Sequence, residues 1–386
     1  MHRYKIIKRD KQQLVENRLK NNPVVALLGP RQCGKSTLAH QILKKHPNHI
    51  YLDLEKNTDI AKLSDVWAFF QIHRNELICL DEIQRAPEIF SQIRSFCDEQ
   101  GTNGQFLILG SASRDLIKQS SESLAGRISY VELSPFSLTE VAYAFDWRDL
   151  WLAGGFPNSL LAQDPDNSFD WRLNFVRTFL ERDIPQLGFR VPSQVLNRFW
   201  TMCAHKQGQL LNATQLGNAL GVTHHTIKNY IDILSETFML RQLNPYHENT
   251  KKRLIKSPKL YIRDTGIVHA LLGIECLDDL LGHPVCGYSY EGFVIENIIQ
   301  HFRKYDAYFY RTSGGHEIDL LLVKGNRKIA IEVKVSTTPV LEKGFWAAKK
   351  DMQPDACYLV APVEQRYPLK AGVEVLSLGD LLTETF

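Results

Sequence analysis

Two kinds of apolar pattern divide this chain. Up to about residue 135, short continuous apolar runs recur at 24–28, 50–54, 77–82, 105–110 and 128–133. Each is too short for a helix and ends in glycine or polar residues, which predicts buried strands. Between the first two, Leu38, Ala39, Ile42 and Leu43 recur at helical spacing. That alternation of helix and strand points to a parallel α/β sheet. Farther on, residues 171–182 read as a helix with Phe175, Phe179 and Leu180 on its apolar side, and Pro185 and Pro192 mark a boundary. Residues 213–220 and 223–237 read as two helices separated at Gly221, followed by strands at 238–243 and 259–263. The last hundred residues predict an amphipathic helix at 290–299 and strands at 307–311, 317–323 and 328–335.

The first apolar run enters Gly29-Pro-Arg-Gln-Cys-Gly-Lys-Ser36, which fits G-x-x-x-x-G-K-[ST], the phosphate-binding loop, and its strand context strengthens the match. ATP with Mg²⁺ is the expected ligand. Gly29, Arg31, Gln32, Cys33 and Gly34 form the loop whose amides close on phosphate, Lys35 reaches the β- and γ-phosphates, and Ser36 can ligate Mg²⁺. Thr37 opens the helix whose N-terminus favours anionic charge. The run at 77–82 ends in Asp81 and Glu82, a Walker B pattern: Asp81 for Mg²⁺, Glu82 to polarise the attacking water. The run at 105–110 delivers Ser111, suited to orient that water or touch the γ-phosphate. Arg127, before the fifth run, reads equally as an arginine finger for a neighbouring subunit or as a surface arginine at a helix end.

Here the chain resembles the AAA-type P-loop ATPases that carry a C-terminal domain of unknown function. The resemblance rests on GPRQCGKST from Gly29, LDEIQ from Leu80, LGSAS from Leu109, GR followed by ELSPFSLTE ending at Glu140, and FLERDIP from Phe179. It implies Lys35 and Ser36 for nucleotide, Asp81 for Mg²⁺, Glu82 for water, Ser111 as sensor and Arg127 as finger. A finger requires a homo-oligomer.

The two middle helices and the strands after them suggest a helix-turn-helix with a wing. His224, His225 and Lys228 cluster at the start of the second helix, the end that enters a major groove. Between 251 and 263 lie Lys251, Lys252, Arg253, Lys256, Lys259 and Arg263 and no acids. A basic wing suits contacts to DNA phosphates, while protein docking stays open as the alternative.

At the C-terminal end, Glu332 and Lys334 project on one strand face, with Asp319 on the preceding strand and Glu291 on the helix before it. A carboxylate there can hold Mg²⁺ and an ammonium can activate water. Helix-strand-strand-strand with these residues resembles the PD-(D/E)xK nuclease core. Ile318 stands where the motif has proline, and an E-x-K on a strand is also met as a solvated ion pair.

The expected architecture is α/β: a P-loop parallel-sheet ATPase domain at 1–143, a helical lid or connector at 144–195, a winged helix at 196–266 and a small α/β restriction-endonuclease-like domain at 280–386. Composition changes this picture little. At 386 residues the chain needs more than one core, and 44% hydrophobic with 23% charged residues is ordinary for a globular protein. A net charge of +3 does not argue for nucleic acid by itself. Seven scattered cysteines without C-x-x-C pairs point away from disulfides and zinc. No long apolar run is present, so a cytoplasmic protein without membrane association is expected. The leading expectation is an ATPase that binds DNA and directs a Mg²⁺-dependent nuclease. The alternatives are a DNA-remodelling motor that does not cut and a regulatory switch whose C-terminal domain only binds.

Overall fold

A computed structural model describes residues 6–111, 123–247 and 254–386. The chain divides into two units, Met1–Phe136 with Glu236–Phe238 and Ser137–Ser235 with Met239–Phe386.

The first unit is a five-stranded parallel sheet built from β1 (Val24–Leu28), β2 (His49–Asp53), β3 (Leu77–Asp81), β4 (Phe106–Gly110) and β5 (Ile128–Glu132), in the order β2-β3-β4-β1-β5. β1, β3 and β4 are buried along their whole length, which is why they read as continuous apolar runs. Phe70, Phe96 and Phe106 meet edge-to-face against the sheet, with ring centroids 4.9 to 5.9 Å apart. The order places β4 between β1 and β3, so the carboxyl ends of these three strands lie side by side. The helix Lys35–Leu43 follows β1 through the glycine-bearing loop, and Gly34 adopts φ 98° at its start. Gly29 is required for a different reason: a Cβ there would lie 2.1 Å from the Leu133 carbonyl oxygen at the end of β5.

In the second unit, the helix predicted over 171–182 begins earlier, at Pro165, because Asp164 caps it by accepting from the Asn167 amide. It spans Pro165–Thr178 and continues as a π turn over Phe179–Asp183. The helices Ala213–Leu220 and His224–Glu236 are separated by a turn at Gly221, and β6 (Leu240–Leu243) pairs antiparallel with β7 (Lys259–Ile262). The C-terminal sheet is larger than the three strands read from sequence. It has six strands: β8 (Asp306–Arg311), β9 (Glu317–Lys324), β10 (Arg327–Val333), β11 (Ala356–Val360), β12 (Tyr367–Pro368) and β13 (Val373–Leu376), in the order β12-β13-β11-β10-β9-β8. β11 runs parallel to both β10 and β13. The helix Lys343–Met352 buries Phe345, Ala348 and Met352 on this sheet. The helix Cys286–His301 is buried over residues 289–298, and so was readable as amphipathic only through its polar members.

Candidate functional site

In the first unit the phosphate loop, Asp81 and Ser111 sit at the adjacent ends of β1, β3 and β4. Ser36 Oγ donates to Asp81 Oδ2 at 2.7 Å, and the Tyr51 hydroxyl from β2 donates to the same oxygen. Asp81 is buried, and the loop hydroxyl and the β3 carboxylate are held together. Lys35 is buried too, with Nζ 3.0 and 2.8 Å from the Gly29 and Pro30 carbonyls of its own loop. Arg31 reaches Glu55 at 3.1 Å and Glu82 at 3.9 Å. Cys33 is buried with its thiol on the Leu133 carbonyl, and Arg9 donates to the Cys33 carbonyl at 2.8 Å. These two contacts fasten the loop from behind.

Glu82 follows β3 in a left-handed conformation, φ 56°, which turns its side chain off the strand direction. Burial raises its carboxyl above the usual range, with Lys35 and Arg31 pulling it back. Gln84 donates to Glu82 and, at 3.1 Å, to Ser111 Oγ, while its buried Oε1 has no hydrogen-bond partner among the described residues. A buried orphan acceptor beside a raised carboxyl fits a site that takes a water or a polar ligand. The donors here suit a triphosphate and Mg²⁺: a loop of amides, one ammonium, and a hydroxyl and carboxylate already paired. Sequence reasoning missed Tyr51 and Gln84; the glutamine stood in the quoted LDEIQ, and only its geometry assigns it a role. Arg127 donates to Asp98 at 2.5 Å and to the Ala125 carbonyl at 2.8 Å.

In the second unit, β9 and β10 do bring Asp319, Glu332 and Lys334 together. Asp319 Oδ2 accepts from the Val333 amide at 3.1 Å, and Lys334 Nζ lies 3.0 Å from Glu332 Oε1. Glu291, from the helix Cys286–His301, lies across from Asp319. What stands between them is a fourth residue, Lys259 of β7. Its Nζ is 3.1 Å from Glu291, 3.1 Å from Glu317 and 3.3 Å from Asp319. Because side chains alternate along a strand, Tyr261 faces the same way, and its hydroxyl donates to Glu291 Oε1 at 2.5 Å. Burial pushes Glu291 up to about 7, against the pull of Lys259.

Two expectations need correcting. The set Glu291, Asp319 and Glu332 is not arranged to hold a metal: Glu291 and Asp319 meet, with Glu317, around Lys259 rather than with Glu332, and no group of three or more His, Cys, Asp or Glu among the described residues could hold an ion. Oxygens 3.1–3.3 Å from a central atom suit an ammonium; Mg²⁺ requires about 2.0–2.1 Å. In this arrangement the carboxylates do not fit a divalent ion. The expected basic wing is also smaller than read. Lys259 is buried, and Arg263 pairs with Glu296 at 2.7 Å, beside Arg241 at 2.6 Å. Burial works against the Glu296 charge, but the two guanidiniums outweigh it and hold the carboxyl down to about 2. Lys251, Lys252 and Arg253 lie outside the described residues. His224, His225 and Lys228 are exposed at the start of their helix, and Lys256 is exposed. No helix among the described residues is long and apolar enough to cross a membrane.

Three sequence families match successive stretches: an AAA domain at residues 21–142, a domain of unknown function (DUF8612) at 144–278, and another (DUF4143) at 286–381. Uncharacterized proteins of Mycobacterium tuberculosis and Mycobacterium bovis are each 39% identical over 378 residues, covering 98% of this chain and 85% of theirs. An uncharacterized protein of Haemophilus influenzae is 24% identical, covering 68% of this chain and 72% of its own. Among solved structures, a DNA replication initiation factor is similar at 12% identity and a TM-score of 0.26, over 71% of this chain and 91% of that one. The mycobacterial match at 39% identity over 98% of this chain makes the chain a member of one family with those proteins, and in this chain an AAA domain, with its phosphate loop and Asp81 assembled as above, is joined to two domains of unknown function.

Proposed function

We propose that the chain is an ATP phosphohydrolase working as a homo-oligomer, in which turnover in the first unit changes how the second unit engages DNA. The observation that carries the hydrolase reading is the pair of contacts that ready the two halves of the site: Ser36 on Asp81, and Gln84 bridging Glu82 to Ser111. Lys35 exchanges its loop carbonyls for phosphate oxygens and offsets their charge. Mg²⁺ held by Ser36 and Asp81 supplies further neutralisation of the β- and γ-phosphates when bound. Glu82 accepts the proton of the attacking water, which Gln84 and Ser111 orient. Arg127, released from Asp98, is the candidate finger toward a neighbouring copy.

A second reading extends to phosphodiester cleavage. It is favoured by Lys334 bonding Glu332 while Asp319, on the adjacent strand, accepts from the Val333 amide between them, with the exposed His224, His225 and Lys228 as the DNA-facing group. Cleavage requires the carboxylates to leave the arrangement they hold around Lys259. One experiment separates the readings: phosphate release and DNA integrity measured together on linear, single-stranded and branched DNA, for the unmodified protein, Lys35→Ala and Asp319→Asn. Lys35→Ala is expected to lose phosphate release by at least about 100-fold. Phosphate release unchanged in Lys35→Ala would sink the hydrolase reading. DNA intact in every sample, with phosphate release raised by DNA, would leave the motor or switch.

A further inference from the structure

We propose that Lys259 is a built-in counter-ion that occupies the Glu291–Glu317–Asp319 cluster in place of a divalent cation, so that ammonium and metal ion exclude one another from this site. The proposal rests on reading that cluster as the nuclease-like site, and it concerns cation occupancy, whatever the site then does.

Three observations converge. First, the ammonium is not a surface charge that happens to lie near acids. The Lys259 side chain is 4% exposed, and its Nζ touches three carboxylates from two separate elements, with the Phe309 ring 5.7 Å away. It reaches them from β7, outside the C-terminal domain that supplies them. Second, the cluster remains short of positive charge. Among the described residues four acids, Glu291, Glu317, Asp319 and Glu332, face three bases: Lys259, Lys334 on Glu332 at 3.0 Å and, from the rim, Arg311 on Glu317 at 3.4 Å. Buried carboxylates in excess over cations are costly unless a proton or a further cation is bound. Third, Glu332, 6% exposed, has one oxygen on Lys334 and leaves Oε2 buried with no hydrogen-bond partner among the described residues. That oxygen is an unused ligand on the strand next to Asp319. A cleft of about 730 Å³ lined by Lys259, Glu291, Glu317, Asp319, Glu332 and Lys334 gives an ion a way in. The carboxylates stand about 1 Å too far out for Mg²⁺ or Mn²⁺ while the ammonium props them apart. Withdrawing Lys259 removes both the prop and the competing charge.

The test is Mn²⁺ binding to the full-length chain without nucleotide, read by electron paramagnetic resonance of free Mn²⁺. The proteins are unmodified, Lys259→Gln and Lys259→Arg, each with and without Asp319→Asn. Lys259→Gln is expected to gain one Mn²⁺ site that Asp319→Asn removes, at least about tenfold tighter than any such site in the unmodified protein. Lys259→Arg, which keeps the charge, gains none. A folded Lys259→Gln, with unmodified circular dichroism and phosphate release, that gains no Asp319-dependent site overturns the proposal. If Lys259→Gln does not fold, the unmodified protein decides alone. An Asp319-dependent Mn²⁺ site of sub-millimolar affinity with Lys259 in place overturns the proposal, and absence of one upholds it. DNA cleavage scored in the same samples keeps the two readings apart. Mn²⁺ uptake by Lys259→Gln without cleavage ends the nuclease reading and leaves the counter-ion; Asp319-dependent cleavage by the unmodified protein does the reverse.

Discussion

Gln84 is the residue whose role is least visible in sequence and most constrained in space. It donates to Glu82 and to Ser111, and so ties the end of β3 to the end of β4 across the floor of the phosphate site. In the proposed mechanism Lys35 and Ser36 act on phosphates and metal, whereas Gln84 contacts Glu82 and Ser111, the groups proposed to position the water. On that proposal, removing it leaves nucleotide affinity in place and removes orientation in the transition state. Gln84→Ala is expected to lower kcat by about 10- to 100-fold with KM for ATP changed less than about threefold. Steady-state phosphate release checks this, and a variant that loses affinity rather than turnover would show that Gln84 holds nucleotide instead. Glu82 itself is held by a left-handed backbone that a strand continuation would not permit, which fits a carboxyl aimed across the strand ends.

At the scale of elements, one junction of the second unit is a close approach of backbones. Gly266, in the helix Thr265–Leu272, lies against Ala153 and Gly154: an added Cβ would be 2.1 Å from the Ala153 oxygen and 2.8 Å from the Gly154 nitrogen. The same junction is closed by Arg172, which donates to the carbonyls of Leu152 and Gly266, and by Asp264, which accepts from the Gly155 amide at 2.8 Å. Both obstructing atoms are backbone, so the junction cannot yield by a rotamer change. Gly266→Ala is expected to lower unfolding free energy by about 2–4 kcal/mol in denaturant melts. Gly287→Ala, in the helix Cys286–His301 with open space around it, is expected to be neutral or slightly stabilising. Equal melts for Gly266→Ala and the unmodified protein would mean that this contact does not hold the helices together.

At the scale of the molecule, His269 joins segments far apart in the chain. Its Nδ1 faces the Leu152 carbonyl at 2.9 Å and must carry the proton, leaving Nε2 to accept from the Ser289 hydroxyl at 2.8 Å; that oxygen accepts in turn from Trp151 Nε1. Burial pushes the imidazole down to about 3, with the Arg172 charge adding to it and the Leu152 hydrogen bond opposing. The sign follows from which state binds the proton. Below about 6.5 the unfolded chain protonates this histidine and the folded chain does not. The stability it contributes is whole above pH 6.5 and is lost progressively as pH falls toward 3, on the order of 5 kcal/mol in all. Unfolding of the second unit is therefore expected to weaken in resistance from pH 6.5 downward, and His269→Gln to flatten that slope. Melting midpoints between pH 7 and 4.5 measure it, and parallel slopes for the two proteins would remove His269 as the cause.

Much of the first unit was legible because its signals are local. A strand buried on both faces is a continuous apolar run, and a phosphate loop is eight successive residues whose chemistry does not depend on distant partners. Asp81, Glu82 and Ser111 were readable for the same reason, each standing directly after such a run. The C-terminal sheet was half legible: β8, β9 and β10 carried alternation or charge, whereas β11 and β13 are short apolar strands that match a buried helix turn equally well. Lys259 shows where sequence stops. Its neighbours in the chain are basic, so it read as part of a solvated wing. Its neighbours in space, Glu291, Glu317 and Asp319, lie 32 or more residues away. Charge type is a property of the residue, but whether that charge meets water, phosphate or three carboxylates is settled by burial, which exists only once β7, the helix Cys286–His301 and β9 have packed.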